Sequence, residues 1–177
     1  MRDLSKEQIS ALLTAARRRR ERDWLMILVS YHHGLRVSEL LQLTGSSITK
    51  DFIKIDSLKA SEPAVQALIH SADPLFSEVP ALFDYSKNCR PNQRLFKLTR
   101  QRAWQLMKEY AEIADVPLHK AFPHALRHSC GRQLIDKIGI HRTQKYMRHK
   151  SMSSTWEYLK VTEEEASDAA KKVFSSD

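Results

Sequence analysis

Glycine is scarce in this chain. The four among 177 residues stand apart at 34, 45, 131 and 139, which leaves no glycine-rich loop to cradle a nucleotide's phosphates and no dinucleotide fingerprint. Nucleotide hydrolysis is therefore not expected. Cysteine is scarcer still: Cys89 and Cys130 support neither a disulfide framework nor a C-x-x-C metal motif. The eight histidines form no H-E-x-x-H pattern, and no carboxylate cluster has the spacing of a divalent-ion loop. Any chemistry is expected to run without metal, and no cofactor is expected. Long apolar runs are also missing, since none approaches the ~20 residues of a membrane span. The N-terminal MRDLSKEQIS lacks the apolar stretch of a secretory leader. A cytoplasmic chain with no membrane partner is the expectation.

What the chain has in excess is positive charge. Lys and Arg number 29 against 21 Asp and Glu, a formal net charge of +8, which favours a polyanionic partner, with nucleic acid first among them. A solvated basic face is the plainer reading of such charge and attracts phosphates without a specific function. Hydrophobic residues at 42% suffice for a core. With no internal repeat, low-complexity tract or flexible linker, residues 1–177 read as one domain.

Ser5 and Gln8 have the spacing of a capping box, and Ile9, Leu12, Leu13 and Ala16 follow at helical intervals. The run Arg17 to Arg20 reads as a solvated helix end. DWLMILVSYHHG is apolar on nearly every side, as a buried helix is, and Gly34 supplies its left-handed stop. RVSELLQL then resumes helical periodicity. From Ile48 to Leu68, β-branched and aromatic residues in short runs predict a small antiparallel sheet with a turn at Lys59 to Pro63. DPLFSEVPALFDYSK reads as helix and NCRPNQR as loop. Thr99 caps a helix with an apolar stripe from Ala103 to Ala114, and HALRHSCGRQLIDKIG, HRTQKYMRH, STWEYLK and a tail capped by Thr162 and Glu165 read as further helices. The predicted fold class is mostly α with a small antiparallel β-sheet, α+β.

The informative pieces are HGLRVSELLQL around Arg36, Lys59, HALRHS with His124 and Arg127, MRHKSM with His149, and TWEYL with Tyr158, nine residues after that histidine. In this order and spacing they resemble the catalytic domain of tyrosine recombinases, the phage integrase family, over nearly the whole chain. The run His124 to Gly131, H-x-L-R-H-S-C-G, is similar to that of the short fimbrial phase-variation invertases.

The resemblance implies a site-specific DNA recombinase that cleaves and rejoins DNA through a 3′-phosphotyrosyl intermediate, without metal or ATP. It assigns Arg36 and Arg127 to clamp the scissile phosphate, Tyr158 to attack phosphorus, His124 to acid–base work, Lys59 to protonate the leaving 5′ oxygen, and His149 to bond the phosphate. Chemistry explains the set, because a metal-free phosphodiester cleavage needs a nucleophile, fixed cations for the growing charge, and an acid. Glu39 matches the family's acidic position and is expected to orient its neighbours. Larger members carry an N-terminal core-binding domain, expected to be absent here. The implied partners are double-stranded DNA, a homotetramer assembled on it by exchange of the C-terminal segment anchored at Val173 and Phe174, and accessory DNA-bending proteins.

Plainer readings stand beside these. Arg36 follows a helix-ending glycine, where a surface cation is common. Lys54 is the alternative to Lys59, and Tyr146 the rival to Tyr158. Arg148 occupies a position where the family usually has glycine and is expected to add a DNA contact. Two other functions remain open at this level: a non-catalytic DNA-binding protein on the same fold, and a metal-free ribonuclease using His124, His149 and Lys59.

Overall fold

In the computed structural model, which describes residues 3–56, 63–149, 167 and 171, the first helix, α1 (Lys6–Arg19), starts at Ser5. The Ser5 hydroxyl accepts from the Gln8 amide at 3.2 Å, and the Gln8 side chain accepts from the Ser5 amide at 3.0 Å. Two amides that a helix start leaves orphaned are thus satisfied reciprocally. The extended residue Arg20 alone separates α1 from α2 (Glu21–His32). Arg17 to Arg20 are exposed, yet Arg17 is not merely solvated: its guanidinium lies 4.4 Å over the Trp24 ring and donates to the Pro74 carbonyl at 2.7 Å.

Every residue of α2 from Asp23 to Tyr31 is buried, as a run apolar on all sides requires. Each Leu or Ile so withdrawn from water contributes roughly 1.5–3 kcal/mol. Asp23, the carboxylate in this run, accepts from the Tyr110 hydroxyl and from Arg22 Nε, each at 2.7 Å. It thereby joins α2 to α5 (Arg100–Ile113) without an uncompensated buried charge. The N-terminus of α5 is capped by Thr99, whose hydroxyl accepts from the Arg102 amide at 3.1 Å, and Ala103, Leu106, Met107, Tyr110 and Ala111 form its buried stripe.

Gly34 ends α2 at φ +55°, and a Cβ there would lie 2.4 Å from Met147 Sδ. Backbone and space both demand glycine at this turn. The next helix, α3 (Val37–Leu40), is shorter than the periodicity of RVSELLQL predicts. After Leu41 the backbone pairs instead with residues 93–95: the Leu95 amide donates to the Leu43 carbonyl at 2.8 Å, and Thr44 bridges Arg94.

Strands β1 (Phe52–Ile55) and β2 (Ala64–Ala67) pair antiparallel with Phe52 opposite Ala67 and Ile55 opposite Ala64. Ile53 and Ile55 face the core while Phe52 and Lys54 face outward, the two-residue alternation of a half-buried strand. DPLFSEVPALFDYSK is helical only in its second half, α4 (Ala81–Lys87). Pro80 has no amide to continue a helix begun earlier, and Glu78 is drawn into the interior, fully buried. Pro123 opens α6 (Pro123–Ile138) at its first helical position, and Gly139, at φ +76°, separates it from α7 (Ile140–Tyr146).

Helix α2 is central, packing against α1 on one side and α6 on another, with α7 against α6. This brings the C-terminal end of α2, the first turns of α6 and the exit of α7 together. The α+β class predicted from sequence is the one observed. STWEYLK and the capped tail lie outside the described residues, apart from Ser167 and Lys171, both helical. No helix among the described residues is long and apolar enough to cross a membrane.

Candidate active site

Arg127, on the second turn of α6, is 1% exposed. One terminal nitrogen donates to the Gly34 carbonyl and the other to the Met147 carbonyl, the latter at 2.7 Å. A planar guanidinium can span two carbonyls from different segments in this way; a lysine ammonium, a point of charge, cannot. Gly34 stands two residues before Arg36 and Met147 two before His149, so one buried side chain ties together the segments that present the other two groups. His124, one turn before Arg127 on the same helix, is exposed, and its ring meets His128 edge-on at 4.5 Å between centroids.

Arg36 caps α3. Its side chain is 40% exposed, and Nη1 donates to Glu39 Oε1 at 2.7 Å while its amide donates to Glu39 Oε2 at 2.8 Å. Glu39 is buried, which alone would raise its carboxyl; the Arg36 amide, the charge of Arg148 and the Arg36 guanidinium outweigh that and hold it below the usual carboxylate range. The orienting role expected of Glu39 from sequence matches these bonds. Arg148 is the departure: its guanidinium turns inward to Glu39 at 3.2 Å and to the His33 carbonyl at 3.3 Å, rather than outward as a DNA contact.

His149 completes the cluster at the exit of α7, its amide donating to the Gln144 carbonyl at 3.1 Å. Burial, then the charges of Arg127, Arg36, Arg148 and His124, push its imidazole down to about 4. Four of the six residues singled out from sequence are thus neighbours: Arg36, His124 and Arg127 each lie within electrostatic reach of the His149 ring. The imidazole is neutral at pH 7 and carries one N–H for an oxygen acceptor, while the guanidiniums of Arg36, Arg127 and Arg148 set positive charge near it. An NMR titration is expected to leave His149 neutral until the pH falls towards 4. Adding DNA should raise that midpoint, since a phosphate among the cations favours the charged ring; an unmoved midpoint in saturating DNA would place the phosphate elsewhere.

Residues 2–165 match the sequence profile described as the phage integrase family. The chain belongs to that family. It is 31% identical to the tyrosine recombinase XerA of Thermococcus kodakarensis over 96% of this chain and 61% of that protein, and 29% identical to the tyrosine recombinase XerD of Vibrio cholerae over 92% of this chain and 58% of that one. The chain therefore spans about three-fifths of the length of these curated relatives. Among solved structures, the XerH recombinase bound to its difH substrate superposes with a TM-score of 0.78 at 21% identity, covering 96% of this chain and 54% of that one. The crystal structure of a XerA recombinase gives 0.74 at 20% identity, covering 96% and 62%. These likenesses establish the fold.

Two further residues expected at an integrase-family site, Lys59 and Tyr158, lie outside the described residues. Their alternatives are placed. Lys54 is on the outward face of β1, its ammonium 3.6 Å from Asp56 with both side chains largely exposed. The Tyr146 hydroxyl donates to the His32 carbonyl at 3.0 Å, and burial raises its pKa above that of an ordinary phenol, a poor setting for a nucleophile. Burial likewise pushes the Cys130 thiol up to about 12, an inert core cysteine.

Sequence reading missed the buried polar hub beneath the site. His33 Nδ1 meets Gln66 Oε1 at 2.8 Å and its Nε2 meets Glu78 Oε2 at 3.1 Å, while Gln66 Nε2 donates to the Tyr146 carbonyl at 2.9 Å. Strand β2 is thereby fastened to the ends of α2 and α7. The partners are 33 and 45 residues apart in sequence, a separation without periodicity. The one available sign was an unbroken HHG at a helix end beside an apolar run.

Proposed function

We propose that this chain is the catalytic portion of a site-specific DNA recombinase, cleaving and rejoining double-stranded DNA through a 3′-phosphotyrosyl link. The observation that carries the reading is the convergence of Arg36, Arg127, His124 and His149 upon one place, from three separate parts of the chain. The Tyr158 phenol attacks phosphorus, its O–P bond forming as the P–O5′ bond breaks. Arg36 and Arg127 donate to the non-bridging oxygens, where charge grows. His124 accepts the phenolic proton, and His149 donates its N–H to the phosphate. Lys59, on the connection between β1 and β2, protonates the departing 5′ oxygen. Attack of another strand's 5′ hydroxyl on the phosphotyrosine reverses each transfer, so the bond energy is retained and no ATP is consumed.

Double-stranded DNA is the proposed partner, in keeping with the net charge of +8. We further propose a homotetramer on DNA, with exchange of the tail around Val173 and Phe174 and with accessory DNA-bending proteins in attendance. Inversion as the net outcome is a second reading, supported by the run His124 to Gly131 alone.

Covalent capture tests this. Nicked duplexes tiled across the DNA flanking the gene, incubated with the protein and denatured, are expected to yield a protein–DNA adduct. Digestion and mass spectrometry should locate the nucleotide on Tyr158. Salt-sensitive binding without any adduct would make the chain a non-catalytic DNA-binding protein, and RNA cleavage without DNA adducts would make it a ribonuclease. An adduct on Tyr146 would overturn the choice of nucleophile.

A further inference from the structure

Arg148 bears three burdens that the smaller glycine would avoid. Its backbone stands at φ +54°, in the left-handed region that residues with a Cβ seldom enter. Its side chain is 3% exposed, so a full charge is withdrawn from water. Among the described residues its buried Nε–H has no hydrogen-bond partner. Such costs persist only where the surrounding structure holds the residue in place.

The remaining bonds show what holds it. Nη1 donates to the Tyr146 carbonyl at 3.1 Å and the His33 carbonyl at 3.4 Å; Nη2 donates to the His33 carbonyl at 3.3 Å and to Glu39 Oε2 at 3.2 Å. Arg127 bonds the next carbonyl along each segment, Gly34 and Met147. Two guanidiniums therefore lie as successive rungs between the turn at 33–34 and the segment at 146–147. The Arg148 rung also reaches the Glu39 carboxylate, which holds Arg36 by both its amide and its Nη1.

We infer that Arg148 is a positioning residue for strand cleavage, its guanidinium fixing the Arg36–Glu39 pair against the segment that delivers His149. The inference rests on the proposed reading of Arg36 and His149 as phosphate-binding groups. Without the rung, Glu39 keeps Arg36 but loses its tie to the other side of the cluster, and two groups that must meet one phosphate become free to drift apart. A displacement of about 1 Å in a reacting constellation costs on the order of 100-fold in rate. Binding is affected far less, since many separate phosphate contacts carry it.

Two variants separate the guanidinium from the backbone. In Arg148→Gly the left-handed backbone is unstrained, so any loss reports the missing side chain. In Arg148→Lys the charge remains but the planar fork is gone. Amide hydrogen exchange on the protein without DNA is expected to speed up about tenfold or more at Arg36 and His149 in both variants, with α1 and α5 unchanged. Single-turnover adduct formation on a nicked duplex at saturating DNA should slow by about 10- to 100-fold, with the Kd for DNA within about threefold of wild type.

Wild-type exchange in both variants would overturn the rung, whatever happens to DNA. Faster exchange with wild-type cleavage rates would overturn the positioning role while leaving the recombinase reading intact. A wild-type protein that forms no adduct would overturn that reading and the positioning role together, and the exchange data would then mark Arg148 as structural. Should the glycine variant not fold, the lysine variant decides by the same two measurements.

Discussion

Exchanging Arg127 for lysine is expected to lower the single-turnover rate of adduct formation by about a thousandfold, through loss of a transition-state donor and of the group that places its neighbours. The side chain is 1% exposed and bridges the carbonyls of Gly34 and Met147. Lysine offers three hydrogens from one point, and so can satisfy one of those carbonyls or a phosphate oxygen, but not the planar array. The carbonyl left unmatched costs about 1–3 kcal/mol, a loss the fold can absorb, so circular dichroism should remain that of a folded helical protein. DNA affinity should fall far less than the rate. A lysine variant that cleaves within tenfold of wild type would reduce Arg127 to a structural rung.

The largest loss of stability is expected from Glu78→Ala, about 3–5 kcal/mol, because three groups that bond the buried carboxylate lose their partner at about 1–3 kcal/mol each. Against a total of about 5–15 kcal/mol for an ordinary domain, that brings the protein close to unfolding. Glu78 is fully buried, with Oε1 at 3.1 Å from His32 Nδ1 and Oε2 at 3.1 Å from His33 Nε2 and 2.8 Å from the Ile69 amide, which donates to it. Burial by itself would raise this carboxyl, but the charge of His33 and the hydrogen bonds from both histidines outweigh it and hold the pKa at about 2. An unfolded glutamate titrates near pH 4.3. Between those values the unfolded chain binds a proton that the native one refuses, so the stabilisation is complete above about pH 4.3 and disappears as the pH falls through about 2. Urea titrations at several pH values between 7 and 2 should show this acid slope in wild type and a flatter one in Glu78→Gln. Equal slopes in the two proteins would mean that Glu78 is not the group responsible. Because Gln66 fastens β2 to the same hub, the alanine variant should also lose the placement of the hairpin that carries Lys59.

Local grammar made much of the fold legible. Ser5 with Gln8, Thr99, Gly34 and Pro123 mark helix boundaries through hydrogen bonds or backbone angles satisfied within a few residues, and such rules operate without tertiary context. The two helices that came out shorter than predicted failed for the opposite reason. Beyond Leu41 the backbone found partners near Arg94, and before Pro80 the side chain of Glu78 was claimed by two histidines some 45 residues earlier. Periodicity carries no information about either. The site divides in the same way: Arg36, His124, Arg127 and His149 were visible as motif residues, whereas the inward turn of Arg148 depends on acceptors at and just after the α2–α3 turn, the His33 carbonyl and the Glu39 carboxylate. Its sequence neighbours, Met147 and His149, give no hint of direction.

The paired rungs have a consequence for how these connections can vary. Surface loops ordinarily accept an extra residue at little cost, but a single insertion between His33 and Gly34, or between Tyr146 and Met147, would change the spacing of the two carbonyls that the guanidiniums bond. Chain length in these two short stretches is therefore as constrained as residue type.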